Sequence, residues 1–194
     1  MFKISNDIFI TRVWCYEMTD LKRHHELWTS NIEQMRSSSE GSQGRSNRGG
    51  WNSAMTLFEN QLFKPLRAAA QAAFSEVLKS YNLEKSLRFK LLAWANITDP
   101  GGYNVTHGHP HCLMSACYYL TVPELSGDIA FEDPRPAAKY APLKSGKSLL
   151  GSRTVTIRPK SGDLLVFPSW LEHYVEQNGS ENPRVSIAMN AVEV

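Results

Sequence analysis

Several features that would place a chain in a special class are absent from this 194-residue sequence. It has no apolar run long enough to span a membrane. Residues 1–14 are interrupted by Lys3, Asp7 and Arg12, so they do not form the apolar segment of a secretion signal. The formal net charge is only +2, whereas nucleic-acid binding needs clustered Lys and Arg. We therefore expect neither a membrane nor a nucleic acid as a partner.

Cysteine is also scarce, with only Cys15, Cys112 and Cys117 and no CxxC pair. An odd number of unpaired cysteines suits reduced thiols better than a disulfide framework, so we expect a cytoplasmic location. Hydrophobic residues make up 42% and charged residues 21% of the chain, which excludes disordered and collagen-like classes. The length suits one domain over residues 1–194, with a helical support at about 20–81 and a β-rich core at about 87–194.

The first half of the chain has mainly helical patterns. Residues 2–14 alternate like an opening strand or pair of strands, and residues 20–35 have helical spacing with Asp20 as the predicted N-cap. Residues 36–51 are rich in Ser, Gly and Arg and lack periodicity, which predicts a long loop. Apolar residues return at helical spacing over 56–81, where Pro65 predicts a break or kink.

Seven short β-prone runs follow Asn82, separated by Gly, Pro, Asn and Asp. They cover residues 88–97, 113–122, 127–133, 153–159, 162–169, 173–177 and 184–192. Helices first and strands second favour helices packed on one face of an antiparallel double sheet. The predicted fold class is α+β, mainly β, with a jelly roll (double-stranded β-helix) whose mouth can hold a metal and a small ligand.

The string HGHPH contains three of the six histidines. Residues two apart on a strand point to the same face, so we expect His107 and His109 to open a strand with both imidazoles in one cavity. His173, at the start of a distant strand, would complete a facial set with open coordination positions, as in catalytic metal sites. We leave His111 out because Pro110 disturbs the strand. The alternative is a turn with surface histidines.

The last β-prone run carries Arg184 on the same predicted face as Ser186 and Asn190. An inward-facing arginine needs a partner, because an unpaired buried charge is costly. That partner is either an internal Asp or Glu, or a bound carboxylate held through two hydrogen bonds. Alternation also points either Tyr118 or Tyr119 inwards, where its hydroxyl needs a polar partner; core packing is the alternative role for both rings.

Several motifs in a fixed order give the chain a family resemblance. They are S-N-x-G-G-W, W-A-N-I, Y-N-x-x-H-x-H, S-x-x-Y-Y-L, F-x-D-P-R, G-D-L-L-x-F-P-S-W-L-x-H and R-x-S. The set resembles the iron(II) and 2-oxoglutarate-dependent oxygenases, within them a group of small members. The resemblance implies Fe(II), 2-oxoglutarate and O2, and hydroxylation of an unactivated C–H bond in a small-molecule or amino-acid-like substrate, with release of succinate and CO2. A homo-oligomer is compatible with it.

The resemblance also implies roles for individual residues. The first and last metal histidines fall on His107 and His173, and the arginine that anchors the far carboxylate of 2-oxoglutarate falls on Arg184. The R-x-S serine is Ser186. The second tyrosine of the Tyr-Tyr-Leu strand, which bonds the same carboxylate in prolyl-hydroxylase-like members, is Tyr119.

One position departs from the family pattern, since His109 stands where the superfamily has a carboxylate. Three neutral imidazoles leave a ferrous ion at its full charge, with nitrogen ligands only. We expect all three histidines to bind the metal. Two alternatives stay open: His109 lies off the metal, or Asp128 or Asp133 completes the set from a neighbouring strand.

Other candidates belong to the surrounding pocket. Asn96 is a candidate for the cosubstrate pocket, and Trp51 and Asn104 are candidates for contact with the substrate. We expect the lid to come from residues 36–51 and 134–152. Basic residues in these segments favour an anionic or amino-acid-like substrate, although a solvated loop explains them equally well: Arg45, Arg48, Arg135, Lys139, Lys144 and Lys147.

Two other classes of protein compete with this interpretation. A cupin-type three-histidine dioxygenase would use no 2-oxoglutarate; Gly101 and the HGH string resemble the first half of a cupin motif, but the glutamate expected shortly afterwards is absent. A jelly roll that binds a metal or ligand without turnover is the other. The R-x-S pair at Arg184 discriminates among the three, because only a 2-oxoglutarate enzyme requires it.

Overall fold

The computed structural model describes residues 5–41, 46–82, 87–140 and 152–194. These ranges contain two α-helices, α1 (His25–Ser37) and α2 (Lys64–Lys79). Their strands are β1 (Trp14–Glu17), β2 (Asn47–Asn52), β3 (Phe89–His107), β4 (Met114–Thr121), β5 (Ile129–Glu132), β6 (Thr154–Ile157), β7 (Asp163–Pro168), β8 (His173–Val175) and β9 (Arg184–Glu193). None of the helices in these ranges is long and apolar enough to cross a membrane.

The strands form one continuous antiparallel sheet in the order β1-β7-β4-β9-β3-β8-β5-β6, with β2 paired to β3. Strand β3 joins two layers, because Phe89–Thr98 pairs with β9 whereas Asn104 and His107 pair with β8. A cavity between the layers is lined by residues of β4 and β9 on one side and of β5 and β8 on the other. The arrangement is the predicted α+β jelly roll.

Both helices cover the outer face of the β3, β9 and β4 layer. Their buried side chains pack with outward-facing strand residues in one core cluster, which includes Trp28, Phe63, Leu66, Phe74, Ala95, Ile97, Tyr118, Val185, Ile187 and Met189. A smaller cluster between the layers includes Tyr119, Phe131 and Phe167. Side chains alternate along a strand, so each strand of this layer contributes one row to the helices and one to the cavity.

The seven predicted strands after Asn82 are all present, but the first half of the chain differs from expectation. Within the described part of residues 2–14 the chain is irregular up to Val13, and β1 begins only at Trp14. Asp20 is not a cap, since it lies inside a 3-10 segment and the N-cap of α1 is His24. Pro65 lies in the first turn of α2, where its missing N–H has no intrahelical partner to lose, so it starts the helix without kinking it.

The predicted loop at 36–51 is also wrong in part, because its second half contains β2. Strand β2 lies very close to β3: a Cβ atom at Gly50 would overlap the carbonyl oxygen of Ile97, and one at Gly102 would overlap that of Gly49. Glycine is therefore required on both strands for this approach. The pairing continues to Asn47 and Asn104, which brings the start of β2 to the end of β3 that carries His107.

A β-bulge interrupts β3 just before its end. Asn104 and His107 are three positions apart, whereas their β8 partners Val175 and His173 are two positions apart. A bulge inserts one extra residue and shifts the alternation of side chains between the faces. Asn104 and His107 consequently line the same cavity, although strict alternation would separate them.

Candidate metal centre

The three predicted histidines meet at the mouth of the cavity. His107 ends β3 and is paired in register with His173, the first residue of β8. His109 follows two residues after the strand, where its N–H donates to the Ser169 carbonyl oxygen (2.8 Å). The expectation that His107 and His109 open a strand is wrong, because β3 continues through Gly102 and ends at His107. The expectation that His173 starts a strand is confirmed.

One nitrogen atom from each of His107, His109 and His173 lies within 4.8 Å of the other two. The ring centroids are 5.1 Å apart for His107 and His109, 4.4 Å for His107 and His173, and 5.3 Å for His109 and His173. His111 lies outside this group, on an exposed turn with a φ of 64°. The cluster has the nitrogen ligands and the spacing that a small transition-metal ion requires.

Backbone carbonyls determine which nitrogen two of the imidazoles present. His107 Nδ1 lies 2.8 Å from the Val105 carbonyl oxygen, and His173 Nδ1 lies 2.9 Å from that of Leu171. A carbonyl accepts, so each Nδ1 carries the proton and each Nε2 is the unprotonated nitrogen, whose lone pair can bind a metal. This is the orientation in which carbonyls hold metal-binding histidines.

Burial also keeps the imidazoles neutral. Burial is the main reason that the pKa of His109 is lowered to about 4 and that of His173 to about 3, and the neighbouring imidazoles lower both further. Burial lowers the pKa of His107 as well. Only a neutral imidazole can bind a metal, so no proton competes at neutral pH. The residues present therefore fit a divalent transition metal.

The two aspartates considered as alternative ligands are engaged elsewhere. Asp128 forms an ion pair with Arg158 (3.1 Å) and Asp133 forms one with Arg135 (2.7 Å). Neither carboxylate belongs to the histidine cluster found among the described residues. The structure therefore favours three histidines over two histidines and an aspartate.

The side chain of Arg184 is buried, with only 3% of the residue exposed, and one of its hydrogen-bond donors is unused. Its Nη1 donates to the carbonyl oxygens of Ser126 and Gly127 (3.0 Å each), and its Nη2 to Thr98 Oγ1 (3.4 Å). The Nε atom is buried without a hydrogen-bond partner, and no carboxylate of the described residues pairs with this arginine. Because a buried charge without a counter-charge is costly, the site fits an external carboxylate.

Two hydroxyl groups lie on the same cavity wall as Arg184. Ser186 and Tyr119 are register partners on β9 and β4, and both side chains lie close to the thiol of Cys117. Burial raises the pKa of Tyr119 well above its usual value, so the phenol remains a donor. Burial likewise raises the pKa of the Cys117 thiol, which therefore stays uncharged beside the guanidinium.

The cavity has a volume of about 530 Å³ and a largely neutral lining. Arg184 is the one Asp, Glu, Lys or Arg residue among its described lining residues. Side-chain amides are numerous there: Asn52, Asn96, Asn104 and Asn190. The indole ring of Trp94 lies 6.0 Å from the imidazole of His109, which adds an aromatic surface beside the histidine cluster.

The structure brings together all but one of the residues predicted for the site. His107, His109, His173, Arg184, Ser186, Tyr119, Asn96 and Asn104 line the cavity. Trp51 does not: it packs in the helix-side core and its Nε1 donates to the Ser39 carbonyl oxygen (2.9 Å). Alternation explains this placement, since the next residue, Asn52, is the one that faces the cavity.

The basic residues of the expected lid do not reach the cavity where they are described. The guanidinium of Arg48 donates to the Asn47 carbonyl oxygen, and Arg135 pairs with Asp133. Arg45, Lys144, Lys147 and the side chain of Lys139 lie outside the described residues, as does most of the 134–152 segment. Sequence reasoning also missed Ser46, Asn52 and Cys117, which line the cavity.

Several solved structures are similar to this chain in architecture, among them enzymes that depend on 2-oxoglutarate or have it bound. A prolyl-4-hydroxylase from Pseudomonas putida aligns with a TM-score of 0.70 at 14% identity, over 95% of this chain and 94% of that one. The epimerase SnoN of nogalamycin biosynthesis aligns with a TM-score of 0.69 at 12% identity, over 94% of this chain and 78% of that one. HygX from Streptomyces hygroscopicus, with nickel and 2-oxoglutarate bound, aligns with a TM-score of 0.64 at 12% identity, over 94% of this chain and 83% of that one. No curated protein sequence matches the chain. The fold is thus the double-stranded β-helix of the 2-oxoglutarate oxygenases.

The sequence itself gives the family. Residues 92–190 match the family model described as "Putative 2OG-Fe(II) oxygenase", which covers more than half of the chain. The chain belongs to this family of 2-oxoglutarate and Fe(II)-dependent oxygenases. The family implies Fe(II), 2-oxoglutarate and O2, and the histidine cluster fits the first of these.

Proposed function

We propose that this protein is an Fe(II) and 2-oxoglutarate-dependent hydroxylase, in which His107, His109 and His173 bind the metal and Arg184 binds the far carboxylate of 2-oxoglutarate. The single observation that carries the proposal is the arrangement of neutral imidazoles and an arginine with an unused Nε in one cavity. The imidazoles suit a metal and the arginine suits a carboxylate, so the two together suit a cavity that holds both. When bound, Fe(II) and 2-oxoglutarate activate O2 so that one oxygen atom enters a C–H bond while succinate and CO2 are released.

The residues of this chain position the reactants and exclude water. Carbonyl oxygens fix Arg184 in place, so little rotamer entropy is lost when a carboxylate binds. Tyr119 and Ser186 offer hydroxyl groups to the same end of the cosubstrate. Phe131 and Phe167, whose rings lie 6.0 and 4.8 Å from the ring of His173, form an apolar wall beside that imidazole and would help exclude water.

We further propose that the reacting part of the substrate is a small, uncharged, hydrogen-bonding group. Once Arg184 holds the cosubstrate, the described lining has no fixed charge left for a second ion. Asn52 Oδ1 already accepts from Asn47 Nδ2 (2.7 Å) and Asn190 Oδ1 from Ser115 Oγ (2.8 Å), so both asparagines keep their N–H donors for a ligand. Asn96 has no side-chain partner among the described residues and offers both a donor and an acceptor.

A small, uncharged reacting group is a narrower substrate class than the anionic or amino-acid-like substrate expected from the sequence. The two described arginines that favoured an anionic substrate, Arg48 and Arg135, lie outside the cavity, so these two residues do not support that choice. An amino-acid-like substrate fits only if its ammonium and carboxylate groups are blocked or lie outside the cavity, because an unpaired charge inside it would be poorly solvated.

The experiment is an anaerobic titration of the metal-free protein with Fe(II) and then 2-oxoglutarate, followed by the weak visible charge-transfer band of the chelate. We expect one iron per chain and a band that saturates. His107→Ala and His173→Ala should lose stoichiometric iron, whereas His111→Ala, on the exposed turn of the same segment, should bind iron as the wild type does. Full iron content in both cluster variants, by elemental analysis, would rule out the assignment.

The same titration separates the competing classes of protein. A cupin-type dioxygenase would bind iron but give no chelate band with 2-oxoglutarate. A binding protein without turnover would give the band but release no succinate when O2 and a substrate are supplied. The unused donor of Arg184 supports 2-oxoglutarate over both alternatives, because neither requires a buried arginine.

A further inference from the structure

The hydroxyl group of Ser46 contacts the metal-facing nitrogen of His107. Ser46 Oγ lies 3.2 Å from His107 Nε2 and 3.1 Å from Asn104 Nδ2. Because His107 Nδ1 carries the ring proton, Nε2 can only accept, so Ser46 donates its hydrogen there. The amide of Asn104 donates to the serine oxygen in turn, which directs the hydroxyl hydrogen away from Asn104 and towards the histidine cluster.

A metal ion cannot share the Nε2 lone pair with this hydroxyl group. A metal–imidazole bond is about 2.0–2.1 Å long, so an ion on Nε2 would occupy the space between the nitrogen and a hydroxyl 3.2 Å away. The hydroxyl hydrogen must then find another acceptor. Metal binding therefore changes the hydrogen bonding of Ser46, whatever else it does.

The backbone of Ser46 is held close to the site. Its carbonyl oxygen accepts from the Val105 N–H (3.0 Å), and the glycines of β2 and β3 let the two strands approach more closely than any side chain would allow. The hydroxyl can rotate but the residue cannot easily withdraw. A molecule bound at an open coordination position of the metal would be one such acceptor.

We propose that Ser46, oriented by Asn104, is a positioning residue that donates a hydrogen bond to an exogenous ligand on the metal. The proposal rests on the proposed function, since it requires a metal on the histidine cluster. It gives the S-N-x-G-G-W motif a role: the glycines bring β2 against β3, and the serine then reaches the open face of the metal. A metal held by three neutral imidazoles keeps its full positive charge, so small anions are suitable ligands for a test.

The test uses Co(II) as the metal and azide as the ligand, both followed by the visible absorption of Co(II), with no turnover required. Wild type, Ser46→Ala and Ser46→Thr are titrated with Co(II) and then with azide. We expect Ser46→Ala to weaken azide about tenfold or more, the size of a lost hydrogen bond to a charged group, and Ser46→Thr to retain most of the affinity.

Cobalt affinity distinguishes a hydrogen-bond donor from a metal ligand. Ser46→Ala should bind Co(II) as tightly as the wild type or up to about tenfold more tightly, because the hydroxyl no longer competes for Nε2. Asn104→Ala should also weaken azide, and it should add little in the Ser46→Ala background, since the two residues act on the same hydrogen bond.

Three results would overturn the proposal on its own: azide affinity unchanged in Ser46→Ala, azide failing to bind the cobalt-loaded wild type, or cobalt affinity falling together with azide affinity. Additive effects of the Ser46 and Asn104 variants would contradict the orienting role of Asn104. Failure of the wild type to bind Co(II) would instead overturn the proposed function, and this inference with it, so the two failures are distinguishable.

Discussion

The two faces of β9 differ as much as the core and surface of a protein do, although the same ten residues form both. Val185, Ile187 and Met189 face the helices and are at most 2% exposed. Arg184 and Ser186, between and beside them, face the cavity and are also buried. Period-two alternation thus gives one strand an apolar row that stabilises the fold and a polar row available to ligands.

The two rows also differ in how completely their contacts are satisfied. The outer row is filled by side chains of α1, α2 and the neighbouring strands. The inner row keeps the unused Nε of Arg184, and Asn96, the β3 residue paired with Ser186, lines the same cavity. The comparison implies that substitutions on the outer row change stability, whereas substitutions on the inner row change ligand binding.

Ile187→Ala should have the largest effect and should be confined to stability. Ile187 is fully buried in the helix-side core, and a large-to-small substitution there costs about 2–5 kcal/mol of unfolding free energy. Denaturant unfolding measures this loss, and calorimetry should find the affinity for 2-oxoglutarate nearly unchanged in the folded variant. A loss of cosubstrate affinity without a loss of stability would break the comparison.

Arg184→Ala is the matching substitution on the inner row. Removing a buried group that pairs with a carboxylate costs about 2–5 kcal/mol of binding, roughly thirtyfold or more in the Kd for 2-oxoglutarate. Iron content should stay at one per chain, because this arginine is not a ligand. Arg158→Ala, which removes an exposed arginine paired with Asp128, is the control and should bind 2-oxoglutarate normally. Unchanged affinity in Arg184→Ala would mean that the carboxylate is held elsewhere.

Lowering the pH should destabilise the metal-free protein, because His109 and His173 line the cavity and are held neutral there. The folded pKa values of His109 and His173 are about 4 and about 3, below the value of about 6.5 expected in the unfolded chain. The unfolded state therefore binds more protons below pH 6.5, and the free energy of unfolding falls as the pH falls, by about 1–2 kcal/mol per histidine between pH 7 and 5.

Denaturant unfolding of the metal-free protein at pH 7 and pH 5 measures this loss. His173→Gln cannot titrate and should lose less stability between the two pH values than the wild type does. An equal loss in both proteins would show that the pH dependence arises outside the cluster.

His109→Asp should have the smallest effect and tests the departure from the usual metal-binding pattern. A carboxylate at this position can reach the same coordination position, so we expect iron affinity within about tenfold of the wild type, less than 1.4 kcal/mol. His109→Ala should bind iron more weakly than either, and iron titration compares all three. Equal affinity of His109→Ala and the wild type would remove His109 from the proposed ligand set.

The alternation of β9 and the presence of seven strands after Asn82 could be predicted from the sequence because both depend on local patterns. Side chains two apart share a face whatever the strand pairs with, so Arg184 and Ser186 were correctly expected to face inwards together. The seven apolar runs were recognisable because turn residues separate them. The convergence of His107 and His173 was predicted from the H-x-H spacing, from the place of His173 at the start of a run and from the family resemblance, although His107 ends a strand that it was expected to open.

Strand β2 and the bulge could not be predicted, because they depend on contacts between distant segments. A glycine-rich stretch has low β propensity, and β2 forms because Gly102 of β3 leaves room for it. Pro100, Gly101 and Gly102 predict a break, yet β3 continues through them. Ser46 and Asn52 were missed because their segment was expected to be a loop, and nothing in the sequence indicates the parity shift that brings Asn104 into the cavity.

Strand β3 passes through both layers, so one element covers a wide range of local stability. Its residues up to Thr98 lie under the helices, whereas Asn104 and His107 pair only with short β8 and the start of β2. Amide hydrogen exchange should therefore be slow at the first end and faster at the second, within a single strand. A metal on His107 would slow exchange at the second end alone. The exchange rate there, compared with that at the first end, would therefore report how much of the protein has metal bound.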